Sequence, residues 1–178
     1  MRRSPFPERA APMHPGHLLA LLALPLLATV FRVVRFARSD GEVRIAIWDC
    51  VWDQLRAMAV FGILGPPIGL LPFALGALVI DGELKHFVLL VPLSLLSYLV
   101  GAVPALASAA AVGAIAPWLA GWRALWTCSA IGFAQSLVWF VVVDLTDTIV
   151  TGAACGGVAG MACARVFFGS PGKERLAR

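Results

Sequence analysis

Charge is scarce in this chain. Of its 178 residues 13% are Asp, Glu, Lys or Arg, while 60% are apolar, against about a quarter charged in soluble globular domains. Together with a strongly positive mean hydropathy, this excludes an ordinary water-soluble domain. Catalytic signatures are also missing. The four cysteines, Cys50, Cys128, Cys155 and Cys163, form no C-x-x-C pair, so they read as small apolar fillers rather than a zinc set or disulfide frame. No phosphate-cradling loop, nucleophile elbow or dinucleotide fingerprint occurs, and no enzyme activity, metal or cofactor is expected.

What the sequence has instead is apolar length. Ala57 to Ile80 holds 24 residues without an ionisable group, which as a helix spans about 36 Å and clears a hydrocarbon core of roughly 30 Å. The pattern as a whole predicts an all-α, polytopic transmembrane helical bundle. Its crossings lie at about 18–37, 57–80, 88–112, 124–143 and 148–168, with a flexible tail over 1–16 and a basic tail over 169–178. The first stretch differs in quality. Its clean run, "LLALLALPLLATVF", is 14 residues long, carries Pro25 and ends at Arg32. Runs so short also occur as interfacial segments or signal peptides, but no good cleavage site follows, and Arg32 and Arg35 can snorkel from a crossing helix. Five crossings are expected, or four if this segment lies along the surface.

Basic residues orient the bundle. Arg32, Arg35, Arg38, Arg44 and Arg56 precede the second crossing, Arg123 separates the third from the fourth, and Arg165, Lys173, Arg175 and Arg178 close the chain. On the other side Lys85 stands among Asp81, Glu83, Asp144 and Asp147. The arginine-rich side is read as cytoplasmic, with the carboxyl terminus on it. Arg2, Arg3 and Arg9 favour four crossings, whereas a start at Met13 would remove them and suit five. Twelve arginines against two lysines, with abundant Ala, Gly and Leu, fit a GC-rich bacterial genome, so a bacterial inner membrane is the expected location. Attraction to anionic headgroups accounts for the basic pI of about 9.2 without a nucleic-acid partner.

Between the first two crossings, "EVRIAIWDCVWDQLRAM" places Ile45, Trp48, Trp52 and Leu55 on one helical face and Asp49, Asp53 and Arg56 on another. It predicts a cytoplasmic interfacial helix at about 43–56 whose carboxylates face solvent and headgroups. A metal or acid/base role for Asp49 and Asp53 is the alternative. Further on, "PWLAGW" predicts an interfacial approach with Trp118 and Trp122 at headgroup level and Trp126 beyond; the competing reading is a re-entrant dip. "DLTD" puts Asp144 and Asp147 in a turn, where they are expected to cap the next helix. His14 and His17 of "MHPGH" fall in the tail.

Two stripes of small residues stand out. Gly152, Gly156, Gly160 and Ala164 recur every fourth residue along the last crossing, and Gly101, Ala105, Ala109 and Gly113 do so along the third. In lipid no hydrophobic force presses helices together, so close backbone approach over small residues becomes a main source of packing energy. The stripes are read as helix-packing surfaces, within the chain or between copies of it. The alternatives are a conduit and a docking face for another membrane protein.

The second crossing contains "FGILGPPIGLLPF", in which Gly65, Pro66, Pro67, Gly69 and Pro72 interrupt regular helix. Each proline lacks an N–H and leaves a carbonyl without its donor. At membrane depth such a break must be buried in protein or meet water, as in the broken helices that line transporter sites. Among the few polar residues of the clear crossings, Gln135 cannot easily satisfy its amide on its own helix and is expected to bond another helix, a subunit or a pore water. Gly65, Pro66, Pro67, Gly69, Gln135 and Ser136 therefore form the candidate polar or conduit site.

At "FGILGPPIG" and "YLVGAVPALASA" the chain resembles small bacterial inner-membrane proteins that pair a Gly-Pro-rich helix with a Gly-x-x-Pro-Ala helix, over roughly 57–168. The resemblance implies a compact bundle and brings no activity or binding residues with it. The expectation is a non-enzymatic structural or accessory membrane protein in contact with lipids, and with further copies or a partner membrane protein. The alternative is a small transporter or channel subunit.

Overall fold

The computed structural model describes residues 15–38, 43–81 and 90–169. Its helices are α1 (Pro15–Ala37), α2 (Val43–Asp81), α3 (Leu90–Ile115), α4 (Gly121–Val142) and α5 (Ile149–Phe168). Single 3-10 turns occupy Ala116–Trp118 and Thr146–Thr148, and no strand occurs among the described residues. All five helices are long and apolar enough to cross a membrane. The first stretch is thus a helix of 23 residues, longer than its clean apolar run. Of the tail expected over 1–16, Pro15 and Gly16, and His17 after them, belong to α1, while residues 1–14 with His14, 82–89 with Glu83 and Lys85, and 170–178 lie outside the described residues.

One boundary is corrected outright. The separate interfacial helix at 43–56 and the crossing at 57–80 are a single helix, α2, of 39 residues, about 58 Å long at the α-helical rise. Nothing at the junction stops it: Asp53 to Ala59, "DQLRAMA", contains neither Gly nor Pro and mostly strong helix formers. Nor does the helix break at Gly65-Pro66-Pro67. It continues through Pro66, Pro67 and Pro72, so the predicted interruption is a run of lost hydrogen bonds inside a continuous helix. Between α3 and α4, Pro117 falls in a 3-10 turn, and Gly121, at φ +57°, opens α4 in a conformation that glycine adopts without strain. That short turn takes the place of a re-entrant dip.

α2 runs antiparallel to α3, since Gly113 meets Asp53 and Gln54 while Gly101 meets Pro66, and α4 runs antiparallel to α5, since Gly160 meets Cys128, Gly156 meets Gly132 and Gly152 meets Phe140. Arg32 of α1 meets Asp53 of α2. One core cluster joins Ala57 and Phe61 of α2, Ala109 and Val112 of α3, Leu125 and Cys128 of α4, and Cys163 and Ala164 of α5. A second joins Leu21, Ala107 and Trp139 of α1, α3 and α4. Large apolar side chains face outward instead, among them Leu27, Ile63, Leu95, Leu99 and Val150. Alanine, glycine and cysteine inside with leucine and valine outside reverses the soluble pattern, and suits an apolar surround in which close approach drives packing.

The two small-residue stripes serve different partners. On α5, a Cβ added at Gly160 would strike the Cys128 carbonyl, one at Gly156 would strike Ser136 and lie 2.6 Å from the Gly132 oxygen, and one at Gly152 would strike the Phe140 ring. This stripe therefore docks on α4. On α3, a Cβ at Gly113 would lie 2.5 Å from Gln54 Cα, Gly101 faces Pro66, and Ala105 faces Gly65, so that stripe docks on α2. Ala109 and Ala164 are fully buried in the first core cluster. Gly132, which has no place in either stripe, is an equally tight point: its added Cβ would collide with the Gly156 carbonyl.

Candidate functional site

Prolines inside helices, and helix ends, leave carbonyls that need donors from elsewhere, and three such carbonyls, two made by prolines inside helices and one at a helix end, are met by side chains from other helices. Pro25 leaves the Leu21 carbonyl without its helical N–H, and Gln135 Nε2 of α4 donates to that oxygen at 3.3 Å. Pro67 does the same to Ile63, and the Tyr98 hydroxyl of α3 donates to the Ile63 oxygen at 2.5 Å. The Gly113 carbonyl, four residues before Pro117 in the last turn of α3, accepts from Arg32 Nη1 of α1 at 3.0 Å. In an apolar surround each of these bonds supplies the carbonyl with the donor that water would otherwise provide. Gln135 thus bonds another helix, as its isolation among apolar residues suggests.

Arg32 is the largest departure from the sequence reading. Its side chain is 4% exposed and does not snorkel; Nη2 pairs with Asp53 Oδ2 at 2.9 Å. Asp53 therefore leaves the solvated face assigned to it, while Asp49 remains exposed. Beside the pair, Gln54 Nε2 donates to Thr29 Oγ1 at 2.8 Å and to the Ala110 oxygen at 3.3 Å, and Thr29 donates to the Pro25 oxygen at 2.8 Å. Arg35 stacks over Trp118 at 5.2 Å, and Phe31 meets the same indole edge-on at 5.6 Å. These contacts tie the end of α1 to the start of α2 and the end of α3. An open depression of about 530 Å³, lined by Arg32, Asp49, Asp53, Arg56 and aromatic neighbours, lies over them.

A second cavity, about 400 Å³, lies between α2, α3, α4 and α5. It gathers Gly65, Pro66, Gly69 and Ser136 of the candidate conduit set and leaves out Pro67 and Gln135. Gln135 lies on another face of α4, against α1, where its Oε1 and the Trp139 Nε1 are buried without partners among the described residues. Cys50, Cys128 and Cys163 are buried, as fillers should be, whereas Cys155 is half-buried and lines the cavity. The carboxylates of the "DLTD" turn do not cap α5 as expected: its N-cap is Thr148, without a side-chain cap bond, and Asp144 takes φ +57°. Among the described residues no three His, Cys, Asp or Glu side chains cluster in a way that would hold a metal.

Sequence reasoning missed Arg32–Asp53, Gln54, Tyr98 and Gly132. A usable signal existed for two of the missed acceptors: the residue four before each proline names a carbonyl in need, here Ile63 and Gly113. It names the acceptor and not the donor.

Among the described residues, fold and sites together define a helical bundle with five helices of membrane-crossing length, joined by side chains that complete one another's backbones. Comparison with protein-family models, curated proteins and solved structures finds no match to this chain.

Proposed function

We propose that the chain is a multi-pass protein of a bacterial inner membrane, carboxyl terminus in the cytoplasm, that acts as a non-enzymatic structural or accessory bundle. The observation that supports this most directly is that both small-residue stripes face helices of the same chain. The outer face is left with Leu, Val and Trp side chains, including Trp122 and Trp126 at 64% and 65% exposure, which suit lipid, a second copy or a partner's helix. Reconstitution into sealed vesicles tests the reading. Entrapped ions and dyes should leak no faster than from protein-free vesicles, and a reporter fused to the carboxyl terminus should signal from the cytoplasm. Saturable flux would overturn the accessory role, and a periplasmic signal the orientation.

A small transporter or channel subunit is the second reading, favoured by the cavity that gathers Gly65, Pro66, Gly69 and Ser136. Native Cys155 reports on it from within. Modification of Cys155 by a membrane-impermeant maleimide in intact vesicles would favour a water-filled conduit, and protection would favour packing.

A further inference from the structure

We propose that the cavity between α2, α3, α4 and α5 is a binding site for an uncharged lipid alcohol: an apolar chain carrying one hydroxyl. The proposal rests on the membrane reading given above. Three features define the occupant. The cavity's volume, about 400 Å³, lies within the range of roughly 300–1,000 Å³ typical of small-molecule sites. Among the described residues its lining holds no charged side chain and is mostly Gly, Ala, Pro and Phe, so an ion or a charged headgroup would find no compensation from them. And it holds hydrogen-bonding groups without partners. Ser136 is 7% exposed, lines the cavity, and its hydroxyl has no partner among the described residues.

Those groups also select the ligand's polar end. Val100 lines the cavity, and Pro104 deprives its carbonyl of the helical N–H. The Ser97 and Ser108 hydroxyls, also in the lining, give their protons to the Ser94 and Pro104 oxygens, which leaves them lone pairs to offer. Acceptors therefore outnumber donors, and the ligand that completes the site both gives and takes a proton: an alcohol can donate to these oxygens and accept from Ser136, whereas an ether or a ketone can only accept and an alkane does neither. Thr148 and Thr151, both exposed, mark the mouth at the start of α5. A chain could enter there from the edge of the bilayer.

The full chain in nanodiscs, photolabelled with a diazirine-bearing hexadecanol, tests this. Adducts are expected on the lining stretches of α4 and α5, with 1-dodecanol competing at least fivefold better than dodecyl methyl ether or dodecane. Ser136→Ala should lower the adduct yield at least threefold with helicity and melting unchanged. Pro104→Ala, which returns an N–H to the Val100 carbonyl, should lower it as well. Adducts confined to outward residues such as Leu95 and Val150, equal competition by the ether, or an unaltered yield in Ser136→Ala would overturn the proposal. Failure of the membrane reading is distinguishable, because the chain would then stay in solution without detergent or nanodisc.

Discussion

Gln135 Nε2 lies 3.3 Å from the Leu21 carbonyl oxygen, the one acceptor in α1 that Pro25 deprives of its helical donor. The two residues are 114 positions apart, so the bond joins the first helix to the fourth at a defect rather than at a regular surface. Replacing Gln135 with Leu should cost about 1–2 kcal/mol, the upper range for interhelical hydrogen bonds in membranes. Pro25→Ala supplies the missing N–H, so Gln135→Leu should cost markedly less in that background. Unfolding of the four proteins of this cycle in mixed micelles measures the coupling; additive losses would show that the bond does not serve the proline.

Arg32 and Asp53 differ in exposure, and the difference sets which loss is worse. The guanidinium side chain is 4% exposed and the carboxylate side chain 29%. Asp53→Ala strands a buried cation and should cost about 3–4 kcal/mol. Arg32→Met leaves a carboxylate that water partly reaches, and a smaller loss, about 1 kcal/mol for the pair, is expected. The double replacement Arg32→Met/Asp53→Leu should recover part of the loss. Equal losses from the two single variants would count against the burial argument.

Two glycines in the helices make opposite predictions. A Cβ at Gly132 collides with the Gly156 carbonyl, whereas one at Gly101 finds its nearest neighbour, Pro66 Cβ, at an ordinary 3.6 Å. Gly132→Ala should therefore destabilise α4 against α5 by about 1–3 kcal/mol, the cost of overpacking. Gly101→Ala should be neutral, or stabilising by up to about 1 kcal/mol from helix propensity. Thermal unfolding of the two variants side by side decides the matter.

Tyr98 gives the same defect logic at an exposed position. Its hydroxyl meets the Ile63 oxygen that Pro67 leaves without a donor. Tyr98→Phe should cost about 0.5–1.5 kcal/mol in a bilayer or micelle. The loss should shrink when Pro67→Ala is introduced, which returns the N–H. A loss that is the same in both backgrounds would assign the effect to the ring environment instead.

The stretch Gly152 to Ala164 shows how far reading the residues alone reaches. Recurrence every fourth residue fixes that Gly152, Gly156, Gly160 and Ala164 share one helix face, because 3.6 residues per turn is a local property. It says nothing of which helix lies opposite, and the α3 stripe, identical in phase, faces α2 rather than this one. The candidate conduit set divides in the same way: Ser136 and Gln135 are adjacent in sequence, yet one lines the cavity and the other bonds α1. Asp53 looked fully solvated because its helix was read alone; the buried arginine that pairs with it belongs to α1.

Residue by residue, the chain itself determined the apolar lengths, the smooth faces and the carbonyls that each proline would leave without a donor. All of these follow from composition, a 3.6-residue period and the missing proline N–H, which act within a few residues. Tertiary structure alone decided that Gln135, Tyr98 and Arg32 supply the missing donors, that each stripe meets a different helix, and that a cavity opens at Ser136. Those outcomes depend on which faces come to oppose one another across helices far apart in sequence, and local periodicity carries no information about that.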